Sequence, residues 1–307
     1  MMKKLDFYFK DCLKKGYCLG AYNFNNLETL KAICQGCQLS NSPAIVSVSE
    51  GALSYMGKDF VVPLFESAKK AYKATIFLHL DHGKSFEICK KAIDLGFESV
   101  MIDGSALPFD ENVKLTKKVV AYAHKKNVLV EAELGVLAGI EDTVSADKHI
   151  FTDPQKAKEF VEKTGCDSLA VAIGTSHGAY KFKGKQELRF DILSEIEKQI
   201  PKTPLVLHGA SSVPQQYVKQ IEKFGGKLDG AVGIPEKFLN EAATKHNIYK
   251  INCDTDIRLA YFATLRKNIA EEPQNFDLRK PNKLAIEEIA KMISEKNTKV
   301  FNNSNHV

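Results

Sequence analysis

The sequence predicts an α/β fold in which eight parallel strands, each followed by a helix, close into a (β/α)8 barrel with additional C-terminal helices. Three observations support this. Apolar runs of strand length recur eight times, helix-like patterns separate them, and none of the runs alternates between polar and apolar residues. Strands covered on both faces read as continuous apolar runs, whereas strands exposed on one face alternate. An open, doubly wound sheet is the alternative.

The eight predicted strands extend along most of the chain. They are residues 18–24, 43–49, 75–81, 99–103, 129–134, 168–174, 204–210 and 251–256. Between them, apolar residues recur at three- and four-residue spacing, and Ser85 is a typical helix cap before FEICKKAIDLG. Residues 282–296 are predicted as a terminal helix and residues 297–307 as a loose polar tail. No flexible linker divides the chain, so residues 1–296 are predicted to form one barrel domain with a C-terminal helical extension.

Composition and charge exclude several classes of protein. The chain has 307 residues, 44% of them hydrophobic and 26% charged, with a formal net charge of +5. This modest charge is spread along the chain, which argues against nucleic-acid binding. Because no apolar run approaches the ~20 residues of a membrane span and the N-terminus is highly charged, we expect a cytoplasmic location without membrane binding. The seven cysteines lack framework spacing and are expected to be reduced thiols.

Polar residues concentrate where the predicted strands end. They are Asp81 and His82 after the third strand, Asp103 after the fourth, Glu133 at the fifth, GTSHGAYK after the sixth, His208 to Ser211 after the seventh, and Asn252 to Asp256 at the eighth. In barrels of this type, catalytic residues lie at the C-terminal ends of the strands. The sequence therefore predicts an active site in that mouth of the barrel.

Three histidines, His82, His177 and His208, come from three different strand ends. Three protein ligands with a fourth position open to substrate are the arrangement of a catalytic zinc site. We therefore predict that these three histidines bind a metal ion. The other histidines, such as His79, are interpreted as hydrogen-bonded core or surface residues.

Asp81 directly precedes one of the proposed ligands. Strand alternation predicts that His82 points at the metal while Asp81 points at a bound substrate. The alternatives for Asp81 are a helix cap or a carboxylate that holds a metal ligand in place. For Asp103 and Glu133, direct metal binding and a supporting role both stay open.

Small and hydroxyl residues surround the last two histidines. Glycines such as Gly178 and Gly209 let backbone N–H groups approach a phosphate, and barrels often bind phosphate near the seventh and eighth strands. Lys181, Ser211 and Thr255 would complete such a cradle, although each glycine alone is also a common turn residue. The long loop after the fifth strand, which carries Glu141-Asp142, is either a lid or a solvated acidic turn.

Taken together, these segments resemble the class II, metal-dependent ketose-bisphosphate aldolases. The segments HLDHG, SVMIDGS, VEAELG, GTSHGAYKFKG, PLVLHGAS and KINCDTDIRLAYF occur in that family's order. The resemblance runs from about Gly16 to Lys280. The mobile-loop glutamate of the family looks like Glu141. Where some relatives carry two consecutive glutamates, this chain has Ile140-Glu141, which leaves open whether one carboxylate covers the proton transfers.

The resemblance implies a TIM barrel with a catalytic Zn²⁺ on His82, His177 and His208, and with Asp81 and Glu141 as catalytic residues. The residues that it assigns to the substrate are Ser49, Gly178, Lys181, Gly209, Ser211, Asn252, Asp254, Thr255, Arg258 and Arg279. A monovalent cation, Na⁺ or K⁺, is expected beside one phosphate. Arg279 would reach the other phosphate from a neighbouring subunit, which implies a homo-oligomer, either a dimer or a tetramer of dimers.

The activity implied is the reversible cleavage of fructose 1,6-bisphosphate to dihydroxyacetone phosphate and glyceraldehyde 3-phosphate, a lyase reaction of glycolysis and gluconeogenesis. A tagatose-bisphosphate aldolase is the alternative of the same class, and DTDIR after the eighth strand looks more like the fructose-type members. Two other classes are a metal-dependent hydrolase, which would normally show H-x-H rather than H-x-x-H, and a non-catalytic sugar-phosphate binding protein.

Overall fold

The structure is a computed structural model that describes residues 4–137, 139–141, 144–146, 150–176, 178 and 188–307, without the side chains of residues 139–141 and 144–146. Its centre is a closed barrel of eight parallel strands, as predicted, and not an open sheet. The barrel strands are β1 (Leu19–Asn23), β2 (Ala44–Ser49), β3 (Ile76–Gly83), β4 (Ser99–Ile102), β5 (Leu129–Leu134), β8 (Ser168–Val171), β9 (Leu205–Leu207) and β10 (Ile248–Cys253).

The strands pair in chain order, and β1 closes the barrel by pairing with both β2 and β10. Two further strands, β6 (Gly139–Glu141) and β7 (Val144–Ala146), form an antiparallel hairpin within the long loop after β5. All eight residues of β3 are buried, which explains why the strand shows no polar alternation. The closed barrel therefore accounts for the continuous apolar runs of the sequence.

Helices follow the strands around the barrel. They are α1 (Leu5–Lys15), α2 (Leu27–Ser40), α3 (Glu50–Met56), α4 (Lys58–Tyr72), α5 (Phe86–Leu95), α6 (Phe109–Ala123), α7 (Pro154–Thr164), α8 (Phe190–Gln199), α9 (Gln215–Lys223), α10 (Glu236–Lys245), α11 (Thr255–Glu271) and α12 (Arg279–Lys299), with a 3₁₀ turn at His124–Lys126. The predicted cap at Ser85 is confirmed, since its hydroxyl accepts the N–H of Ile88 at 3.3 Å.

The predicted bounds of the last strand are wrong by about three residues at each end. The strand was expected at residues 251–256, but β10 begins at Ile248 and α11 already begins at Thr255. Asp254, in helical backbone geometry, is the cap residue of α11, and its C=O accepts from the N–H groups of Ile257 and Arg258. The polar end of the predicted strand is therefore the first turn of a helix.

The N-terminal end of the barrel is closed by α1. Tyr8 of this helix packs against Phe77 of β3 with a ring separation of 5.5 Å, and Phe9 packs against Tyr249 of β10 at 4.1 Å. Phe77 and Tyr249 lie near the starts of their strands, and the cluster around them is apolar. These aromatic contacts bury apolar surface at the N-terminal end of the barrel, and the polar site residues lie at the opposite end.

The end of the chain is packed, so the predicted loose tail is wrong. Helix α12 is longer than the predicted 282–296, and Asn297, Phe301 and Asn303 beyond that prediction are 0% exposed. Asn297 accepts the Tyr22 hydroxyl at 2.7 Å, and the amide of Asn303 donates to the carbonyl of Pro43 at 2.7 Å. These asparagines look solvent-exposed in the sequence, but they satisfy polar groups buried beneath them.

All seven cysteines are buried free thiols, which agrees with the expectation from their spacing. Cys34 and Cys37 both lie on α2. Within the described ranges, none of the helices combines the length and the apolar character needed to cross a lipid bilayer.

Candidate active site

The C-terminal ends of the strands bring together four of the predicted site residues. Asp81 and His82 lie at the end of β3, His208 follows β9 directly, and Asn252 lies on β10. All four are buried. The rings of His82 and His208 are 4.5 Å apart between centroids, and a carboxylate oxygen of Asp81 is 3.9 Å from Nδ1 of His208. Residues from three strands therefore converge on one centre.

The backbone at His82 is left-handed, with φ = 47°, and this corrects one expectation. Regular alternation would point Asp81 and His82 to opposite faces of the strand. Instead, the pairing of β3 with β4 shifts register between Leu80 and Gly83, and potential metal-binding atoms of Asp81, His82 and His208 all lie within 4.8 Å of one another. Backbone strain of this kind in a residue other than glycine is typical of functional sites.

Two asparagine amides hold the carboxylate of Asp81. Asn23, at the end of β1, donates to one oxygen at 2.8 Å, and Asn252 donates to the other at 3.0 Å. Asn252 also lies 3.1 Å from Nδ1 of His208, so one amide links the carboxylate to a proposed metal ligand. The sequence prediction missed Asn23, although its position at a strand end is the same signal that identified the others.

Asp81 is held in its charged form. Burial alone would raise the pKa of its carboxyl group, but electrostatic attraction, above all from the neighbouring His82, outweighs burial and lowers the pKa. A carboxylate that is ionised and fixed by two amides can accept a proton from a hydroxyl placed beside it.

Buried charged residues inside the barrel support His208. We call the chain of contacts from His208 through Glu131 and Lys250 to His79 the ionic column. Nε2 of His208 is 2.6 Å from a carboxylate oxygen of Glu131, and both oxygens of Glu131 accept from the ammonium group of Lys250, at 2.8 and 2.9 Å. If the proton of His208 lies on Nε2, as the bond to a carboxylate implies, its Nδ1 carries the lone pair that a metal requires. Burial would raise the pKa of Glu131, but Lys250 and His208 lower it.

Sequence reasoning did not select Glu131 or Lys250. Their only signal was a charged residue inside an otherwise apolar strand, in LVEAEL and in IYKINC. The column ends at His79, which lies 2.8 Å from Ser99 and 3.2 Å from Lys250. Burial, assisted by the charge of Lys250, lowers the pKa of His79 to about 3, so this residue is neutral. The interpretation of His79 as a hydrogen-bonded core residue is confirmed.

His82 has its own carboxylate partner. Its Nδ1 is 3.0 Å from Asp103, which also binds Lys84 at 2.7 Å and the hydroxyl of Ser105 at 2.6 Å. Burial alone would lower the pKa of His82, but the bond to Asp103 and the nearby carboxylates raise it to about 10. Burial also raises the pKa of Glu133 to about 8. Of the two residues left open by the sequence, Asp103 thus supports His82 directly.

The donor set matches a divalent metal ion. Two groups of potential ligands share His82: one adds Asp81 and His208, and the other adds Asp103 and Glu133. Within the described part of the chain, one oxygen of Glu133 is buried without a hydrogen-bond partner. Imidazole and carboxylate groups close together, with an unsatisfied buried oxygen beside them, are what a metal would stabilise. His177, the third predicted ligand, lies outside the described residues.

Of the predicted phosphate-binding residues, Gly178 follows β8, and Gly209 and Ser211 follow β9 directly after His208. Gly209 has a φ of 58°, and a Cβ atom there would come within 2.6 Å of the backbone of Ser176, so only glycine fits. Ser211 follows in the same loop and is buried. Gly178 is half-buried with a φ of 79°, and Lys181 lies outside the described residues. The loops after β8 and β9 therefore pack backbone against backbone.

The remaining predicted residues lie around the mouth. Asp254 and Thr255 open α11, and Arg258, one turn later, forms an ion pair of 2.5 Å with Asp254. Ser49 ends β2 opposite Asp81, and its hydroxyl accepts the N–H of Ala52. The backbone of Glu141 lies in the hairpin strand β6, and its side chain is outside the described part.

Arg279 lies away from the cluster at the start of α12. Its side chain is 86% exposed and pairs with Asp277 at 2.7 Å. The structure therefore places this arginine on the surface of its own chain.

The sequence is similar to known enzymes along nearly its whole length. Residues 3–306 match the family described as "Fructose-bisphosphate aldolase class-II". The fructose-bisphosphate aldolase of Treponema pallidum (strain Nichols) is 48% identical over 312 residues, which cover 95% of this chain and 94% of that protein. A fructose-bisphosphate aldolase of Helicobacter pylori is 47% identical over 91% of this chain and 92% of its own.

Solved structures share the fold. The YdjI aldolase from Escherichia coli K12 superposes with a TM-score of 0.78 at 28% identity, over 99% of each chain. A putative fructose-1,6-biphosphate aldolase from Coccidioides immitis gives a TM-score of 0.81 at 25% identity, over 98% of this chain and 97% of that one.

Proposed function

The chain belongs to the class II fructose-bisphosphate aldolase family, and on that premise we propose that it reversibly cleaves fructose 1,6-bisphosphate to dihydroxyacetone phosphate and glyceraldehyde 3-phosphate. One observation carries the proposal. The carboxylate of Asp81 is buried and held by Asn23 and Asn252, with the imidazoles of His82 and His208, both potential metal ligands, directly beside it. The arrangement supports a proton acceptor next to a site for positive charge, the pair that cleavage of the C3–C4 bond of a 2-ketose requires.

In the cleavage direction, Asp81 accepts the proton of the C4 hydroxyl. The C4–O bond then becomes the aldehyde carbonyl of one product, and the electrons of the C3–C4 bond remain on C3 of the other. Asn23 and Asn252 keep the carboxylate oriented, so that little reorganisation is needed as the proton moves. Glu141 on the hairpin is the residue that we assign to returning a proton to C3.

The metal ligands in this proposal are His82, His177 and His208, and the ion is Zn²⁺. When bound, the ion supplies a Lewis acid that polarises the carbonyl oxygen of the substrate and stabilises charge on it. Asp103 and Glu131 fix the orientation and tautomer of His82 and His208, respectively. His82 and His208 are thus held in orientation by the protein itself.

The loops after β8 and β9 are proposed to hold the phosphate of the dihydroxyacetone half. The residues assigned to this role are Gly178, Lys181, Gly209, Ser211 and Thr255, with Asn252 and Asp254 near the reacting carbons and Ser49 at the rim. Within the described residues, the side-chain carbonyl oxygens of Asn23 and Asn252 are buried without a donor. Such oxygens suit a substrate hydroxyl or a monovalent cation such as Na⁺ or K⁺. A charged sugar bisphosphate does not cross membranes unaided, which supports a cytoplasmic location.

Rates of cleavage of fructose 1,6-bisphosphate and tagatose 1,6-bisphosphate test the proposed substrate. We expect the fructose compound to be cleaved faster, with formation of both triose phosphates, and the activity to disappear with a chelator and to return with Zn²⁺. Faster cleavage of the tagatose compound would reassign the substrate. If borohydride with dihydroxyacetone phosphate inactivates the protein while a chelator does not, an imine on a lysine such as Lys181 replaces the metal mechanism.

A homodimer with shared sites is the proposed assembly, either alone or within a tetramer of dimers. Arg279 is exposed at the start of α12, after the segment 272–278 that follows α11. Exposed apolar side chains lie near it in the sequence, with Phe276 at 99% exposure and Leu278 also exposed. A second subunit covering these side chains would carry Arg279 to its neighbour's substrate phosphate, while Arg258 contributes from within the chain.

Subunit mixing tests this assembly. Asp81→Ala protein and Arg279→Ala protein are combined under conditions that exchange chains. In a mixed dimer one site carries both lesions and the other carries neither, so we expect activity above that of both parents. If activity does not rise although chain exchange is demonstrated, Arg279 does not act on a neighbouring site.

A further inference from the structure

Lys296 is a buried lysine on the last helix, α12. In the sequence it lies far from the proposed catalytic residue Asp81. Its side chain is 3% exposed and its ammonium group has three oxygen partners. They are the carboxylate of Asp256 at 2.8 Å, the hydroxyl of Ser212 at 2.8 Å and the carboxylate of Glu236 at 3.1 Å. An ammonium group has three protons to donate, so this geometry uses all of them.

Two partners of Lys296 connect it to the β9–α9 loop, residues 208–214: Ser212 belongs to the loop and Asp256 binds it. Asp256, in the first turn of α11, is fully buried and accepts the backbone N–H of Ser212 at 3.1 Å and of Val213 at 2.8 Å. One carboxylate thus holds two successive amides of the loop that also carries Gly209 and Ser211. Lys296 adds a third attachment through the hydroxyl of Ser212.

The loop needs this support because part of it is strained. Val213 has a φ of 50°, a left-handed backbone conformation that a β-branched residue rarely adopts and that is strained. Such a conformation persists only where the surroundings impose it. On the other side of the loop, a Cβ atom on Gly233 would come within 2.4 Å of the backbone of Ser211 and Ser212. The loop therefore packs closely against the backbone at Gly233 and is also held by Asp256.

The charge of Lys296 allows the buried carboxylate of Asp256 to hold the β9–α9 loop. Burial would raise the pKa of the Asp256 carboxyl group, but Lys296 lowers it, so the group stays ionised and accepts both amides. Glu236 is half-exposed and contributes less. Without the lysine, Asp256 would be a buried charge without a counter-ion, and it would protonate or draw in water.

We infer that Lys296 is a positioning residue for phosphate binding: through Asp256 and Ser212 it fixes the β9–α9 loop in the shape that presents Gly209 and Ser211 to the substrate phosphate. This inference rests on the proposed function. The catalytic carboxylate Asp81 is held separately, by Asn23 and Asn252. Loss of Lys296 therefore weakens capture of the phosphate more than it slows proton transfer.

The test uses the zinc-loaded enzyme and the exchange of a C3 proton of dihydroxyacetone phosphate with D₂O, followed by NMR, together with inhibition by inorganic phosphate. For Lys296→Met we expect KM and the phosphate inhibition constant to rise by about tenfold, the effect of losing one charge-assisted hydrogen bond, with kcat changed by less than about twofold. Lys296→Arg keeps a donor for Asp256 and should restore most of the affinity.

Asn297→Ala is the matched control. Asn297 is the next residue of the same helix and equally buried, but it binds Tyr22 and Ser40 rather than the loop. It should lose stability without a change in KM. Should Lys296→Met fail to fold, the double variant Lys296→Met/Asp256→Asn removes both buried charges and should show the same rise in KM.

Four outcomes decide between the possibilities. An unchanged KM in a folded Lys296 variant, or an equal rise in Asn297→Ala, overturns the positioning role. A fall in kcat alone also overturns it. If the unaltered protein itself fails to exchange the proton of dihydroxyacetone phosphate, the proposed function fails instead, whatever the variants do.

Discussion

Replacing Asp81 with alanine is expected to slow the cleavage of fructose 1,6-bisphosphate by a factor of about 10²–10⁴, the contribution of a positioned general base. The two asparagines that hold Asp81 would remain, but no group would accept the proton of the C4 hydroxyl. The bonds of His82 to Asp103 and of His208 to Glu131 do not involve Asp81, so the variant should keep its metal. Steady-state rates and metal content on the same preparation measure both effects.

His82→Ala is the companion variant. It removes a proposed ligand and leaves Asp103 with Lys84 and Ser105 as partners, so both metal and activity should be lost. The assignment of Asp81 as a base would be refuted by one result in particular. This is an Asp81→Ala protein that has lost its metal and regains the full rate when excess Zn²⁺ is added, because Asp81 would then only support the ligand His208.

The second large effect is expected for Lys250→Met. Lys250 is 0% exposed and is the cation that both oxygens of Glu131 contact. Removing one partner of a buried ion pair leaves an uncompensated charge, which costs about 3–5 kcal/mol of the free energy of unfolding. Urea unfolding at neutral pH measures this cost. The catalytic rate should fall as well, because Glu131 would protonate and no longer fix the tautomer of His208.

Glu131→Gln combined with Lys250→Met provides the control. The double variant has no unpaired charge, so it should be more stable than Lys250→Met alone, and the difference gives the coupling within the pair. A single variant that unfolds at the same urea concentration as the original protein would show that water or a rearranged neighbour replaces Lys250. The column would then contribute nothing to stability.

The fold was predictable because each barrel strand is covered on both faces and leaves a continuous apolar run. Asp81, His82 and His208 were predictable because polar residues at strand ends converge in a closed barrel, and the structure brings them together. Their catalytic and metal-binding roles stay predictions. The geometry at His82 was not predictable, since nothing in HLDHG distinguishes a left-handed residue from a regular strand.

The supporting residues were missed for a different reason. Lys250 and Glu131 each look like an exposed position that interrupts a strand, and they make sense only as a pair brought together across the barrel. The same applies to the C-terminal asparagines. Asn297 and Asn303 have the composition of a tail, but their partners Tyr22 and Pro43 lie near the other end of the sequence. Local patterns carry no information about such distant partners.

The packing of α1 against the N-terminal end of the barrel determines when this helix can dock during synthesis. Helix α1 is synthesised before every barrel strand, yet Phe9 packs on Tyr249, which belongs to the last barrel strand. The contact of Phe9 with the barrel therefore cannot form until β10 has been made, although Tyr8 can pack on Phe77 of β3 earlier. Contacts between residues so far apart in the sequence slow folding, and partly folded intermediates with exposed apolar surface are prone to aggregation. Complete docking of α1 thus requires the last barrel strand. A nascent chain that stops before β10 would keep apolar surface exposed, and chaperones bind such surface.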